Sequence, residues 1–269
     1  VGTKIKEYKN RKLVDYIDKD TKRIALFFWH GLGDLLMFLK IYDKLCEMYP
    51  DILIDLVLQK GVGQEAICPD AVFVGSENEI DEKYDFIFHV HFPMSEYDKD
   101  PMPKAEKCCT DELGIEPFEG HKKLEIGKES RFVGVSFNAT ALPGYAGVEA
   151  PVANLVWKEI KELGLIPIEI MMEHAYHNRK NNQFNFVNCT LRDCSPNIET
   201  MSSAIRRCFA FIGTSSGPFH LAMSLLSPNR VAYFERNFKL ITVTRQPIKT
   251  FDVKYYQEGE VGEWLITLF

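Results

Sequence analysis

Arg23-Ile-Ala-Leu-Phe-Phe-Trp29 runs directly into His30-Gly31-Leu32-Gly33-Asp34, and that loop into Leu35-Leu-Met-Phe-Leu-Lys-Ile-Tyr-Asp-Lys-Leu-Cys-Glu-Met48. The first block is aliphatic and aromatic with no polar alternation, the pattern of a strand buried on both faces. Two glycines then allow a tight loop. The third block carries apolar residues at helical spacing as far as Tyr49-Pro50, where proline forbids continuation. Strand, Gly-rich loop and helix in that order predict the opening of a parallel α/β sheet. Ahead of it, Lys4 to Asp18 is charged and amphipathic, with Ile5, Tyr8, Lys12 and Tyr16 at helix-like spacing. Behind it, Ile52 to Leu58, Ala71 to Val74 and Tyr84 to Val90 read as strands, and Lys104 to Leu113 as a helix.

The second half repeats the scheme. Arg131 to Phe137 reads as a strand, Asn138 to Ala150 as a loop of small residues, and Val152 to Leu163 as a helix closed by Gly164. Ile166 to Met172 is a strand and Ile198 to Cys208 a helix. Phe209 to Ile212 is a strand that feeds Gly213-Thr-Ser-Ser-Gly-Pro-Phe-His220 and a helix to about Leu226, and Arg230 to Phe234 follows as a strand. The polar stretch from Lys99 to Ser130, with Pro101, Pro103, Pro117, Gly120 and Gly127, is the best boundary. The expectation is an α/β chain of two Rossmann-like lobes with a cleft between them, residues 1–125 and 126–269. The tail from Glu258 is left open to return to the first lobe.

Composition limits the function classes. At 269 residues, with 46% apolar and 26% charged side chains, the chain can bury a core without metal or disulfide staples. Lys and Arg number 32 against 38 Asp and Glu, a net charge of −6 with no dense basic block, which argues against nucleic acid as a partner. The seven cysteines are irregularly spaced and include no C-x-x-C, as in a protein whose thiols stay reduced. Ile24 to Trp29, the longest apolar stretch, is far short of the ~20 residues that span a bilayer. Lys4 to Lys22 is too charged for a signal-peptide core. These readings predict a cytoplasmic protein with at most peripheral membrane contact.

Ligands of open α/β sheets bind at the carboxyl ends of strands, where helix N-termini present unpaired N–H groups and positive dipole ends. Each lobe has such a place. In the first, Gly31-x-Gly33 fails the dinucleotide fingerprint because Leu36 stands where the third glycine is required, and no Walker-type phosphate loop occurs. In the second, Thr214-Ser215-Ser216-Gly217-Pro218 sets hydroxyls, a glycine and a proline at a helix start, an anion site suited to a diphosphate or a plain capped helix. His220, four residues after Ser216, either donates to a phosphate or packs on the sheet. Asp34 is read either as a functional carboxylate or as an ordinary helix cap. His89 with His91, and Glu173 with His174 and His177, match no established zinc spacing. No G-x-S-x-G elbow is present. The run Glu77 to Glu82 reads as a solvated face, and Phe27, Phe28 and Trp157 as core.

Phe211-Ile-Gly-Thr-Ser-Ser-Gly-Pro-Phe-His-Leu-Ala222 resembles the donor-site motif "GtDSGpxHLA" of glycosyltransferase family 9, the heptosyltransferases of lipopolysaccharide assembly. His30-Gly-Leu-Gly-Asp34-Leu-Leu with Tyr49-Pro50 is similar to that family's N-terminal segment. Tyr84-Asp85-Phe-Ile-Phe resembles its "YDxvId" strand, and Val133-Gly-Val-Ser136 with Trp157 its second-lobe opening. The resemblance runs in order from about residue 23 to 235. It implies a GT-B fold and a glycosyltransferase that moves a sugar, with inversion and without metal or cofactor, from a nucleotide-diphospho-sugar to a glycan or glycolipid acceptor. By motif match it implies Asp34 as general base, with His30, Gly31 and Gly33 in the acceptor-side loop. Ser136, Asn138, Ser215, Ser216, Gly217 and His220 become donor contacts. Two departures stand out. Ser215 replaces the family's acidic residue, and the loop after Ser136 lacks the expected lysine, for which Arg179, Lys180, Arg236 or Lys239 could substitute. They leave open an altered donor, a non-catalytic nucleotide-sugar-binding protein, or a sugar-nucleotide epimerase of similar fold.

Overall fold

The computed structural model describes residues 12–60, 64, 67–76, 79–80, 83–92, 103–118, 121, 131–138, 147–173, 192–237, 239–240 and 243–269. Its contacts divide the chain into two units, Val1–Lys122 and Lys123–Phe269. In the first, β1 (Arg23–Phe28), β2 (Leu53–Gln59), β3 (Val72–Val74) and β4 (Phe86–Val90) form an all-parallel sheet in the order β3-β2-β1-β4. The unbroken apolar run of β1 has a direct cause. Ile24, Leu26 and Phe28 pack in one core with Leu35, Phe38 and Leu45 of α1 (Leu32–Met48), while Ala25 and Phe27 pack in another with Val57, Val74, Tyr84 and Ile87. A strand covered on both faces cannot alternate.

Three local expectations for this unit are corrected. Helix α1 begins at Leu32 rather than Leu35, with Gly31 as its N-cap, so Gly33 and Asp34 lie inside its first turn. The amphipathic stretch Lys4 to Asp18 is described only from Lys12, where Leu13–Asp15 makes a single 3₁₀ turn; its earlier part lies outside the described residues. The helix expected over Lys104 to Leu113 is α only in α2 (Lys104–Lys107) and continues as a π turn over Cys108–Leu113, closed by Gly114 at φ +74°.

The second unit builds a six-stranded parallel sheet from β5 (Phe132–Ser136), β6 (Ile166–Met172), β7 (Arg192–Ser195), β8 (Cys208–Gly213), β9 (Val231–Glu235) and β10 (Lys249–Asp252), ordered β10-β9-β8-β5-β6-β7. Counted within the unit, this is the doubly wound dinucleotide-fold order, in which the chain works outward from β5 one way and then returns to β8 on its other side. The helices are α3 (Ala150–Glu162), α4 (Ile198–Arg206), α5 (Gly217–Leu225) and α6 (Glu260–Ile266). Gly134 in β5 has a steric reason: a Cβ there would come within 2.6 Å of the buried Phe211 ring. The tail is held in this same unit. Glu159 of α3 accepts the Tyr256 O–H at 2.8 Å and the Gly262 N–H at 2.9 Å, and Val261, Trp264 and Leu265 join the core around Val156 and Phe251.

Candidate functional site

The strand order locates the site before any side chain is considered. In a doubly wound sheet, helices on either side of the reversal point diverge and leave an opening at the carboxyl ends of the two central strands. In the second unit those strands are β5 and β8, with Ser136 level with Gly213. Just past them, the Ser136 and Ser216 hydroxyls lie 3.2 Å apart and the Thr214 N–H donates to the Ser136 carbonyl at 3.1 Å. Ser216 is the N-cap of α5, and its hydroxyl accepts the Phe219 N–H at 3.4 Å. Gly217 opens the helix and Pro218 stands second, where its missing N–H costs no intrahelical bond. The turn therefore presents two hydroxyls, the Gly217 amide and a positive dipole end, the groups that bind an anion.

The other residues expected on the donor side are His220, Asn138 and Ser215. His220 is 5% exposed, its ring edge-on to Phe219 at 5.6 Å. Asn138 lies against Gly147, whose Cβ position is 3.3 Å from its Oδ1. Ser215, the departure from the family motif, is hydrogen-bonded through side chain and backbone to the Tyr233 hydroxyl. Tyr233 is fully buried, and burial pushes its phenol far above the ordinary value. Position 215 is thus coupled to a core phenol on β9, a partnership invisible in the sequence because Tyr233 reads simply as core. Of the four candidate cations, Arg236 donates to the Gly147 carbonyl at 3.1 Å and pairs with Glu149 at 2.9 Å. Lys239 pairs with Glu235 at 3.3 Å and reaches Asp252 at 3.9 Å. Arg179 and Lys180 lie outside the described residues.

In the first unit the reversal falls between β1 and β4, and the expected acceptor-side loop sits there. His30 is a brace: its Nε2 accepts the Phe92 N–H at 3.2 Å, its carbonyl accepts from Gln64 at 3.0 Å, and its ring lies 4.9 Å from that of Phe28. Burial holds the imidazole below its ordinary pKa, against the opposing pull of Asp34, so His30 is neutral at pH 7. Gly31 has open space at its Cβ position. Asp34 is the third residue of α1, not its cap, so the capping alternative is corrected. Its Oδ1 accepts from Lys104 Nζ at 3.3 Å, with both side chains about one-sixth exposed (16% and 17%). Lys104 lies seventy residues away in sequence and carried no motif that would announce it. Among the described residues no group of three His, Cys, Asp or Glu is arranged to hold a metal, and no helix is long and apolar enough to cross a membrane. His174 and His177 lie outside the described residues.

Two doubly wound parallel units, each with polar groups at its reversal point, define the class: an α/β fold of the GT-B heptosyltransferase type. Among solved structures the chain is similar to the ADP-heptose lipopolysaccharide heptosyltransferase II of Escherichia coli, at 12% identity and a TM-score of 0.65 over 91% of this chain and 98% of that one. A glycosyltransferase family 9 protein of Veillonella parvula gives 14% and 0.64 over 94% and 97%. TibC, the iron-containing dodecameric glycosyltransferase of enterotoxigenic E. coli, gives 16% and 0.62 over 96% and 69%, and is also known in complex with ADP-D-β-D-heptose. No protein-family model matches the sequence, and no curated protein matches it. At these identities the likeness is one of fold, and the similar structures include a member of the family whose motifs the sequence resembles.

Proposed function

We propose that the protein is a glycosyltransferase that moves a sugar from a nucleotide-diphospho-sugar to a hydroxyl of a glycan or lipopolysaccharide-type acceptor, with inversion and without a metal. The observation that carries this reading is the Ser136–Ser216 hydroxyl pair at the mouth of α5, at the reversal point of a sheet whose fold neighbours include a protein complexed with ADP-heptose. A nucleoside diphosphate leaving group there takes hydrogen bonds from the Ser216 hydroxyl and the Gly217 amide, and part of its counter-charge from the helix dipole. In a single displacement the acceptor oxygen bonds to the sugar C1 as the bond from C1 to the diphosphate oxygen breaks. Asp34 takes the acceptor proton; the Lys104 pair occupies Oδ1 and leaves Oδ2 for that hydroxyl.

The test is nucleoside diphosphate release from ADP-, GDP- and UDP-sugars, with and without lipopolysaccharide-type acceptors, in wild type and Asp34→Asn. Transfer is expected to fall by roughly 10²–10⁴-fold in the variant, with donor affinity within about twofold because the donor groups belong to the other unit. Full transferase activity in Asp34→Asn removes the base assignment. Wild type that binds a nucleotide sugar and transfers nothing is a binding protein, and one that alters the sugar without acceptor is an epimerase.

A further inference from the structure

We propose that Arg236 supplies the cationic contact to the donor diphosphate that the segment after β5 lacks. The inference rests on the reading that a nucleoside diphosphate binds at Ser216. A diphosphate carries at least two negative charges, and amides and hydroxyls alone leave them largely uncompensated. From Phe132 to Trp157 the chain contains no Lys or Arg, and none occurs from Cys208 to Asn229. Both segments bordering the reversal point are therefore without a permanent cation.

Arg236 is brought to the same sheet edge by register. Ser136 is level with Gly213, and Gly213 with Tyr233, so the chain leaves β9 at Glu235 and presents Arg236 on the carboxyl side where β5 and β8 also end. Its guanidinium reaches across to the residues that close the β5–α3 connection, donating to the Gly147 carbonyl at 3.1 Å. Gly147 in turn lies against Asn138, two residues beyond Ser136. Ser136, bonded to the Ser216 hydroxyl, thus stands two residues along the chain from Asn138, which lies against the Gly147 whose carbonyl accepts from Arg236.

The chemistry of the fork suits the task. One nitrogen, Nη1, is committed to a backbone carbonyl and fixes the plane. The other, Nη2, is paired with Glu149, whose side chain is 57% exposed while that of Arg236 is 30% exposed. An ion pair with so solvated a carboxylate holds weakly, and a phosphate oxygen offers the guanidinium a stronger, planar match. Glu149 is then a stand-in for the anion, displaced when the diphosphate arrives. Lys239 lacks this freedom, since Glu235 and Asp252 both neighbour it.

Calorimetric titration of the intact protein with ADP and AMP, and with GDP and UDP in parallel, tests the assignment. Arg236→Ala and Arg236→Lys are expected to weaken diphosphate binding roughly 10- to 100-fold and AMP binding less. Glu149→Gln, which removes the competing carboxylate on the surface, is expected to tighten diphosphate binding a few-fold. An arginine that only braces Gly147 predicts the opposite pattern: a lower melting temperature in Arg236→Ala, an unchanged preference of diphosphate over monophosphate, and no gain in Glu149→Gln. That pattern overturns the assignment and leaves the donor site standing. Wild type that binds none of the three diphosphates overturns the donor-site reading itself, and the role of Arg236 with it.

Discussion

Asp34 illustrates how a side chain's role is decided by partners that local sequence does not contain. A carboxylate three residues into a helix adds favourably to the dipole, but here its main partner is Lys104 at 3.3 Å. A pair about one-sixth exposed lies between exposed ion pairs, worth up to about 1 kcal/mol, and buried ones, whose breakage costs about 3–5 kcal/mol. Lys104→Met and Asp34→Asn are each expected to destabilise by about 1–3 kcal/mol, and the double variant by less than their sum, since each single change strands the other's charge. Urea denaturation of the four proteins measures the coupling; a coupling of zero means that the ion pair contributes nothing to the fold. Asp34, Ser216 and His220 stood out as candidates because each sits in a local strand-loop-helix pattern, and the roles proposed for them come from the resemblance to glycosyltransferase family 9. Lys104 and Tyr233 did not, because their relevance comes from contacts made across the fold, and alone they read as a surface lysine and a core tyrosine.

The same division holds for whole elements. The central strands β1, β5, β6 and β8 were legible as apolar runs because their side chains are buried on both faces, and burial removes polar alternation. The strands that escape such reading are the two edges of the second sheet. Among the described residues Arg192-Asp-Cys-Ser195 and Lys249-Thr-Phe-Asp252 pair on one side only, and they carry the charge that protects an open edge. The last helix, α6, is seven residues long, and its apolar signal reduces to Val261, Trp264 and Leu265. What fixes it is one buried carboxylate, Glu159, which accepts both the Tyr256 hydroxyl and the Gly262 amide. Glu159→Ala strands two donors in a buried setting and is expected to cost about 2–4 kcal/mol. Glu159→Gln keeps an acceptor oxygen and is expected to cost less than half as much. Thermal melting of the two variants checks this, and equal, small losses in both would mean that apolar packing alone holds the tail.

At the scale of the molecule, two sheets of the same winding have been given unequal equipment. The first ends its central strands in a braced histidine, an open glycine and a lysine-paired carboxylate; the second ends them in hydroxyls at a helix mouth. A carboxylate beside the first opening suits proton abstraction and repels a diphosphate, whereas the second has no carboxylate within its turn and a dipole that attracts one. Nucleotide should therefore protect one unit only. Hydrogen–deuterium exchange of the full chain with saturating ADP is expected to slow exchange in peptides covering Cys208–Leu225 and the end of β5, leaving those of β1 and α1 unchanged. The same ADP at about 100 times its Kd adds about 2.7 kcal/mol to the stability of the unit that binds it. On the proposed reading helix amides and the Arg236 guanidinium supply the counter-charge, so neither effect should diminish in EDTA. Protection confined to the Leu32–Met48 helix would reverse the assignment of donor and acceptor units. Protection that appears only with added Mg²⁺ would mean that the hydroxyl turn binds a metal-complexed diphosphate and that the dipole is insufficient by itself.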